Sequence, residues 1–209
     1  MTRSFLFLLG SSRPDGNSLA LARAAAAHLP DDVSQRWIDL AELPLPDFQD
    51  DRHESGDWRA SANETLLHEA TTAATDIVIV SPLYWYSLSA SVKRYLDYWS
   101  GWLTAPDSTF KKQLAGRTLW GVTVMSADSE EVADPLVGSL NNSAAYMGMR
   151  FGGVLFGNGS RPGQVLDDTR ALARAEDFFA KDAPLARFPL REPEAAGHEP
   201  RPVPAGAGR

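Results

Sequence analysis

The chain has 209 residues, a formal net charge of −7 at pH 7 and no cysteine. Disulfides, thiolate metal sites, iron–sulfur clusters and a cysteine nucleophile are thereby excluded. Hydrophobic residues at 44% and charged residues at 22% fit an ordinary globular chain, and the length fits one domain. The acidic balance shows no basic stripe, which argues against a nucleic-acid partner.

In chain order, residues 5–9 form an unbroken apolar run that ends at Gly10 and predicts a strand. This run is too short to span a bilayer, and the later apolar runs are also strand-sized. The expectation is a soluble, cytoplasmic protein with no membrane partner. Residues 17–29 are rich in Ala and Leu and predict a helix. Residues 34–40, with Gln35, Arg36 and Trp37, read as a sheet edge. A helix is expected over 59–75, carrying Leu66, Leu67 and Ala70 on one side. The β-branched run 77–80 predicts a strand, and 90–102 a helix with Val92, Leu96 and Trp99 on one stripe. Strands at 118–125 and 151–156 alternate with helices at 135–149 and 164–180.

Strands without polar alternation are covered on both faces, as in a parallel sheet. Strands alternating with helices of this length indicate βαβ units with right-handed crossovers. The expected fold is α/β: a doubly wound, five-stranded parallel sheet in the order 2-1-3-4-5, with helices on both faces. This domain is expected over 1–182. Residues 183–209 hold six prolines and a single aromatic, Phe188. They predict a flexible tail, with a strap across a partner subunit as the alternative.

Two loops carry the candidate chemistry. The first strand runs into Gly10-Ser11-Ser12-Arg13-Pro14-Asp15-Gly16-Asn17-Ser18, and a helix begins at once. The N-terminus of that helix favours an anion, and Ser11, Ser12, Ser18, Asn17 and Arg13 supply hydroxyl, amide and guanidinium donors. The pattern is neither a Walker loop, which needs a lysine after its last glycine, nor a dinucleotide fingerprint. An ordinary turn capped by Asn17 or Ser18 is the plainer alternative. The third strand runs into Ser81-Pro82-Leu83-Tyr84-Trp85-Tyr86-Ser87-Leu88-Ser89-Ala90, which emerges at the same end of the sheet. Its three consecutive aromatics make a wall for a planar ring, or else pack beneath the loop or into a subunit interface.

These two loops, in this order and followed by Lys93 and Asp97, resemble the NADPH-dependent FMN reductase family of flavodoxin-like proteins. The resemblance covers roughly residues 3–180. It implies a flavodoxin-like fold, FMN as cofactor, and NADPH or NADH as electron donor. It also implies a small-molecule electron acceptor (a quinone, azo compound or free flavin) and a homodimer or homotetramer with the flavin near a subunit interface. Carried over by position, Ser11, Arg13, Asn17 and Ser18 are the implied FMN phosphate ligands. Pro82, Leu83, Tyr84, Trp85 and Tyr86 are the implied loop beside the isoalloxazine ring. Ser126, in Met125-Ser126-Ala127-Asp128, is implied at the other edge of the flavin. Many relatives have Glu-Tyr-Asn where this chain has Leu83-Tyr84-Trp85, a departure that bears on acceptor choice.

The implied activity is an FMN-dependent NAD(P)H oxidoreductase with ping-pong kinetics. No catalytic side chain is required, since the flavin carries the chemistry. Backbone N–H groups of residues 83–87 are candidates for the pyrimidine edge of the ring. A non-enzymatic flavodoxin-type electron carrier and a flavin-binding sensor are the alternatives. The serines lack a Gly-x-Ser-x-Gly context, which disfavours a hydrolase. His28, His53, His68 and His198 do not cluster, and a metal at His53 with Asp50 or Asp51 is the weaker reading of a solvated loop. Lys93 and Asp97, spaced i, i+4, read as a helix-surface pair.

Overall fold

The computed structural model describes residues 2–50 and 60–189; His53, Asp51, His198 and most of the expected tail lie outside the described residues. Five parallel strands, β1 (Ser4–Leu9), β2 (Ser34–Asp39), β3 (Asp76–Val80), β4 (Thr118–Met125) and β5 (Arg150–Asn158), form one sheet in the order β2-β1-β3-β4-β5. Six α-helices accompany them: α1 (Asn17–Ala26), α2 (Ala62–Ala73), α3 (Ala90–Thr104), α4 (Phe110–Leu114), α5 (Asp134–Met147) and α6 (Thr169–Ala175). The expected fold class and strand order are therefore observed.

The two-residue period of a strand explains why the central runs are apolar throughout. Leu6 and Leu8 of β1, with Ile77 and Ile79 of β3, face a core shared with Leu67 of α2, Val92 and Tyr95 of α3, and Leu140 of α5. Phe5 and Phe7, with Val78 and Val80, face a second core shared with Leu21 and Ala25 of α1 and Ala171 and Ala175 of α6. At the β2 edge only Ile38 is buried, and Trp37 lies flat on Phe7 with ring centroids 3.9 Å apart. The opposite edge is covered by the chain itself. Residues 183–187 run antiparallel to β5: Phe151 N donates to Pro184 O at 2.9 Å and Ala186 N to Met149 O at 3.0 Å.

One expected helix is broken. Residues 164–180 form a 3₁₀ turn (Gln164–Asp167), the short α6 and a second 3₁₀ turn (Phe178–Ala180). The break is at Asp168, whose carboxylate accepts Ala171 N at 3.0 Å and Asn158 N at 2.8 Å and starts a new helix. Helix α4, which periodicity did not reveal, is a short turn pinned by buried Phe110 and Leu114.

The amino end of the sheet is sealed. Asp76, buried in β3, accepts Trp120 Nε1 at 2.9 Å, Thr75 Oγ1 at 2.7 Å and two hydrogen bonds from Arg3 at 2.5 and 3.1 Å. Arg117 closes the carbonyls of Thr72 and Ala74, and Arg150 closes that of Ala183 at 2.6 Å. The Trp120 ring lies where a side chain on Gly152 would be, and the β4–β5 register shifts between Leu119 and Gly121 to admit it.

Candidate functional site at the carboxyl rim of the sheet

At the carboxyl ends of β1, β3, β4 and β5 a cleft of about 200 Å³ opens between four loops. Ser11, Arg13, Asp15, Gly16, Asn17 and Ser18 form one wall, and Pro82, Leu83 and Tyr84 another. Met125 and Ser126 form the floor, and Gly159, Ser160 and Pro162 close the far side. Ligands of doubly wound sheets bind at this rim. Of the site residues expected from sequence, Trp85 and Tyr86 are absent from the lining; they stand on the outer tip of the second loop.

The first loop is anchored by Gly10, whose N donates to Val80 O at 2.8 Å. A Cβ on Gly10 would stand 2.2 Å from Val92 Cγ2, so only glycine lets the loop lie this close to α3. Gly16 ends the loop; its Cβ would meet Ser11 Oγ at 2.5 Å. Gly16 is also the N-cap of α1, and no side chain caps that helix. The capping alternative for Asn17 and Ser18 is thus corrected: both lie inside α1. The first-turn N–H groups are left free toward the cleft mouth, where the helix dipole favours negative charge. Ser18 is buried in the lining, and its hydroxyl has no hydrogen-bond partner among the described residues.

Two donors in this loop are already engaged. Arg13 donates to both carboxylate oxygens of Asp15, at 3.1 and 3.2 Å. The hydrogen bond and charge of Asp15 raise the Arg13 guanidinium further above its ordinary value, and Arg13 holds the Asp15 carboxyl below the usual range. Asn17 Nδ2 donates to Arg161 O at 2.8 Å, so this side chain clamps the loop after β5 to the first loop. Ser12 Oγ meets Tyr84 Oη at 3.4 Å across the cleft mouth.

The second loop is a two-residue hairpin. Tyr84 N donates to Ser87 O at 3.1 Å, and Ser87 N to Tyr84 O at 3.0 Å. Its central residues, Trp85 (φ 48°) and Tyr86 (φ 64°), both lie in the left-handed region. Positive φ at both positions is the type I′ pattern, which normally takes Asn-Gly. Two bulky aromatics there store strain of about 1–3 kcal/mol each, and such strain collects at functional sites. Trp85 is 93% exposed, Tyr86 58% and Tyr84 46%. Leu83 N donates to Val124 O at 3.4 Å, so among residues 83–87 the N–H groups of Trp85 and Tyr86 are the ones free of internal partners. Ser81 is structural: its hydroxyl donates to Pro82 O at 2.9 Å and accepts Ser89 N at 2.9 Å.

The loop after β5 was not foreseen. Gly159 N donates to Met125 O at 2.9 Å, and a Cβ on Gly159 would stand 2.9 Å from Val165 N. Gln164 Oε1 accepts from Ser160 N and Arg161 N, at 2.9 and 3.0 Å. The signal was present: Gly159-Ser160-Arg161-Pro162-Gly163 repeats the Ser-Arg-Pro of residues 12–14 just past a strand. Elsewhere, Lys93 and Asp97 do pair on the surface of α3, and His68 packs its ring on Trp102 and Phe110.

A doubly wound sheet with an uncapped helix start, hydroxyl donors and an aromatic hairpin at one rim defines the class: a flavodoxin-like α/β protein with a cleft suited to an anionic group joined to a ring. The family model described as flavodoxin-like fold matches residues 3–179, and the chain belongs to that family. It is 28% identical over 174 residues to YwqN of Bacillus subtilis strain 168, named as an NAD(P)H-dependent FMN-containing oxidoreductase, covering 82% of this chain and 94% of that protein. Among solved structures, the Trp repressor binding protein of Bacillus subtilis superposes with TM-score 0.65 at 23% identity, covering 83% of this chain and 96% of the other. The NAD(P)H:quinone oxidoreductase of Methanothermobacter marburgensis also gives TM-score 0.65, at 14% identity over 84% of this chain and 96% of the other. At these identities the structures speak for the fold.

Proposed function

We propose that the protein is an NAD(P)H-dependent FMN oxidoreductase that passes electrons to a small acceptor such as a quinone, azo compound or free flavin. One observation carries the reading: the uncapped start of α1, with Ser11 and Ser18, and the aromatic hairpin at Tyr84 line a single cleft. The name and the extent of similarity of YwqN support it. When bound, FMN supplies the hydride chemistry.

The chain's own residues bind, orient and shield. The first-turn N–H groups of α1, with Ser11 and Ser18, would hold the phosphate, with the Arg13–Asp15 pair beside it. Pro82, Leu83 and Tyr84 would flank the ring on one side, and Met125 and Ser126 on the other. The N–H groups of Trp85 and Tyr86, without partners among the described residues, would be the donors of this loop available to the pyrimidine edge, where they would favour developing negative charge. Beside Trp85 and Tyr86 one face of the ring would stay open to the reduced nicotinamide and then to the acceptor, the arrangement that ping-pong kinetics requires. No side-chain acid or base is assigned.

A homodimer or homotetramer completes this reading. A groove of about 430 Å³ between α3 and α5, lined by Leu96, Leu103 and Tyr146 together with Ser100, Ser139 and Asn142, is where a second copy would sit in this reading. No helix among the described residues is long and apolar enough to cross a membrane, and the proposed location is the cytoplasm.

The test is an anaerobic titration of the FMN-loaded protein with NADPH and NADH, followed by addition of a quinone. Bleaching of the visible flavin band, then recovery with the quinone, is expected. A protein that binds FMN but is not bleached by either nucleotide is a carrier or a sensor instead.

A further inference from the structure

The first loop alone is a poor receptor for a phosphate ester. Its cation, Arg13, is held on both oxygens of Asp15, and Asp15 itself lines the cleft as a carboxylate. A phosphate monoester carries close to two negative charges at neutral pH. Within residues 10–18 the formal charges of Arg13 and Asp15 cancel. The uncapped α1 contributes only a partial positive charge. A second cation would help balance the phosphate, and the first two loops contain none beyond Arg13.

The loop after β5 has one. Arg161 itself is exposed at the rim, outside the lining, between Ser160 and Pro162, both of which line the cleft. Its backbone is fixed at two points: its carbonyl accepts Asn17 Nδ2 at 2.8 Å, and its N–H goes to Gln164 Oε1 at 3.0 Å. Gly159 allows this close approach, since a Cβ there would press on Val165 N at 2.9 Å and Asn17 Nδ2 at 3.3 Å. The amides of 160 and 161 are used inside the turn, so what the turn can offer a ligand is the Ser160 hydroxyl in the lining and the exposed Arg161 side chain at its rim. Several other cations among the described residues are bound to carboxylates: Arg3 to Asp76, Arg94 to Asp47, Arg150 to Asp182, and Arg170 and Arg174 to Glu130. Arg161 forms no ion pair among the described residues.

We propose that the turn 159–163 is a third ligand-binding element of the cleft, in which Arg161, supported by Ser160, supplies the cation for the phosphate monoester of the bound flavin nucleotide. This rests on the reading of the cleft as an FMN site. Asn17 then acts as a positioning residue, locking the turn that carries Arg161 against the first loop. The repeated Ser-Arg-Pro gives the site two similar turns, one whose arginine is internally neutralised and one whose arginine has no ion pair among the described residues.

The test compares FMN with riboflavin, which lacks the phosphate, by equilibrium dialysis against wild-type, R161A and R161K proteins. R161A is expected to weaken FMN about ten- to a hundredfold, the size of a charge-assisted hydrogen bond. Riboflavin affinity and melting temperature stay unchanged, and R161K recovers part of the loss. If R161A keeps the wild-type ratio of FMN to riboflavin affinity, the proposal is overturned while the FMN site stands. A wild-type protein that binds neither flavin overturns the underlying reading as well. If R161A instead alters only the KM for NADPH relative to NADH, Arg161 faces the dinucleotide and the assignment to the flavin phosphate is wrong.

Discussion

The two ends of the sheet treat polar groups in opposite ways. At the amino end every conspicuous charge has a fixed partner: Asp76 takes Trp120, Thr75 and Arg3, while Arg117 and Arg150 close backbone carbonyls. At the carboxyl end α1 starts uncapped, Ser18 has no partner among the described residues, and the hairpin holds two aromatics at positive φ. The sealed end therefore holds the fold, and the open end keeps donors and strain that a ligand can satisfy.

Substitutions at the two ends should separate stability from binding. The largest effect belongs to the sealed end. D76A leaves Trp120 Nε1 buried without an acceptor and should cost about 3 kcal/mol, the low end of that range because Arg3 is 39% exposed. Chemical denaturation would register this as a lower midpoint, with FMN affinity of the folded protein unchanged. R13A should do the reverse. The Arg13–Asp15 pair is exposed and contributes little to stability. FMN binding should nonetheless weaken, by less than in R161A and with riboflavin unaffected, because losing Arg13 leaves the Asp15 carboxylate unbalanced in the lining; equal losses for both flavins would mean that the Arg13–Asp15 pair does not border the phosphate.

A smaller effect, of opposite sign, is expected at the hairpin. Replacing Trp85-Tyr86 by Asn-Gly supplies the residues that a type I′ turn prefers and relieves about 1 kcal/mol or more of strain. For a chain of this size that raises Tm by roughly 2–4 °C, while quinone turnover falls because the open face loses its aromatics. An unchanged Tm would show that the turn is not strained.

The smallest effect is at Asp168. Burial raises its carboxyl, but backbone N–H donors from Ala171 and Asn158 outweigh this and leave it below the ordinary carboxylate range. Stability from a carboxyl lowered on folding is fully present above the unfolded value, near pH 4. It is lost as pH falls through the folded value. D168A should therefore cost about 1 kcal/mol at neutral pH, and the Tm gap to wild type should close on acidification. A gap that widens in acid would reverse the sign.

Much of this architecture is legible in the sequence because it depends on local patterns. The runs 5–9 and 77–80 lack polar residues since the sheet is covered on both faces, and Gln35 and Arg36 mark the edge correctly. The first loop could be read because an anion site at a helix start needs small and hydroxyl residues. Other features needed tertiary context. Asp76 reads as a strand boundary until Trp120 and Arg3 are brought to it from distant segments. Asn17 reads as a phosphate donor, yet its amide is engaged by Arg161 O, 144 residues away in sequence. Propensity argues against Trp85 and Tyr86 at positive φ, and no period reveals a cap at Asp168 that splits one helix into three pieces. The turn 159–163 carried a readable signal in its repeated Ser-Arg-Pro, but only the fold places it beside the first loop.

The central claim is that this rim holds a phosphate-bearing flavin. Calorimetric titration of the flavin-free protein with FMN tests it most directly, in the absence and presence of inorganic phosphate. The account predicts saturation at a single FMN per chain, with phosphate weakening the binding by competition. Absence of saturable binding, or binding that phosphate leaves untouched, would contradict it.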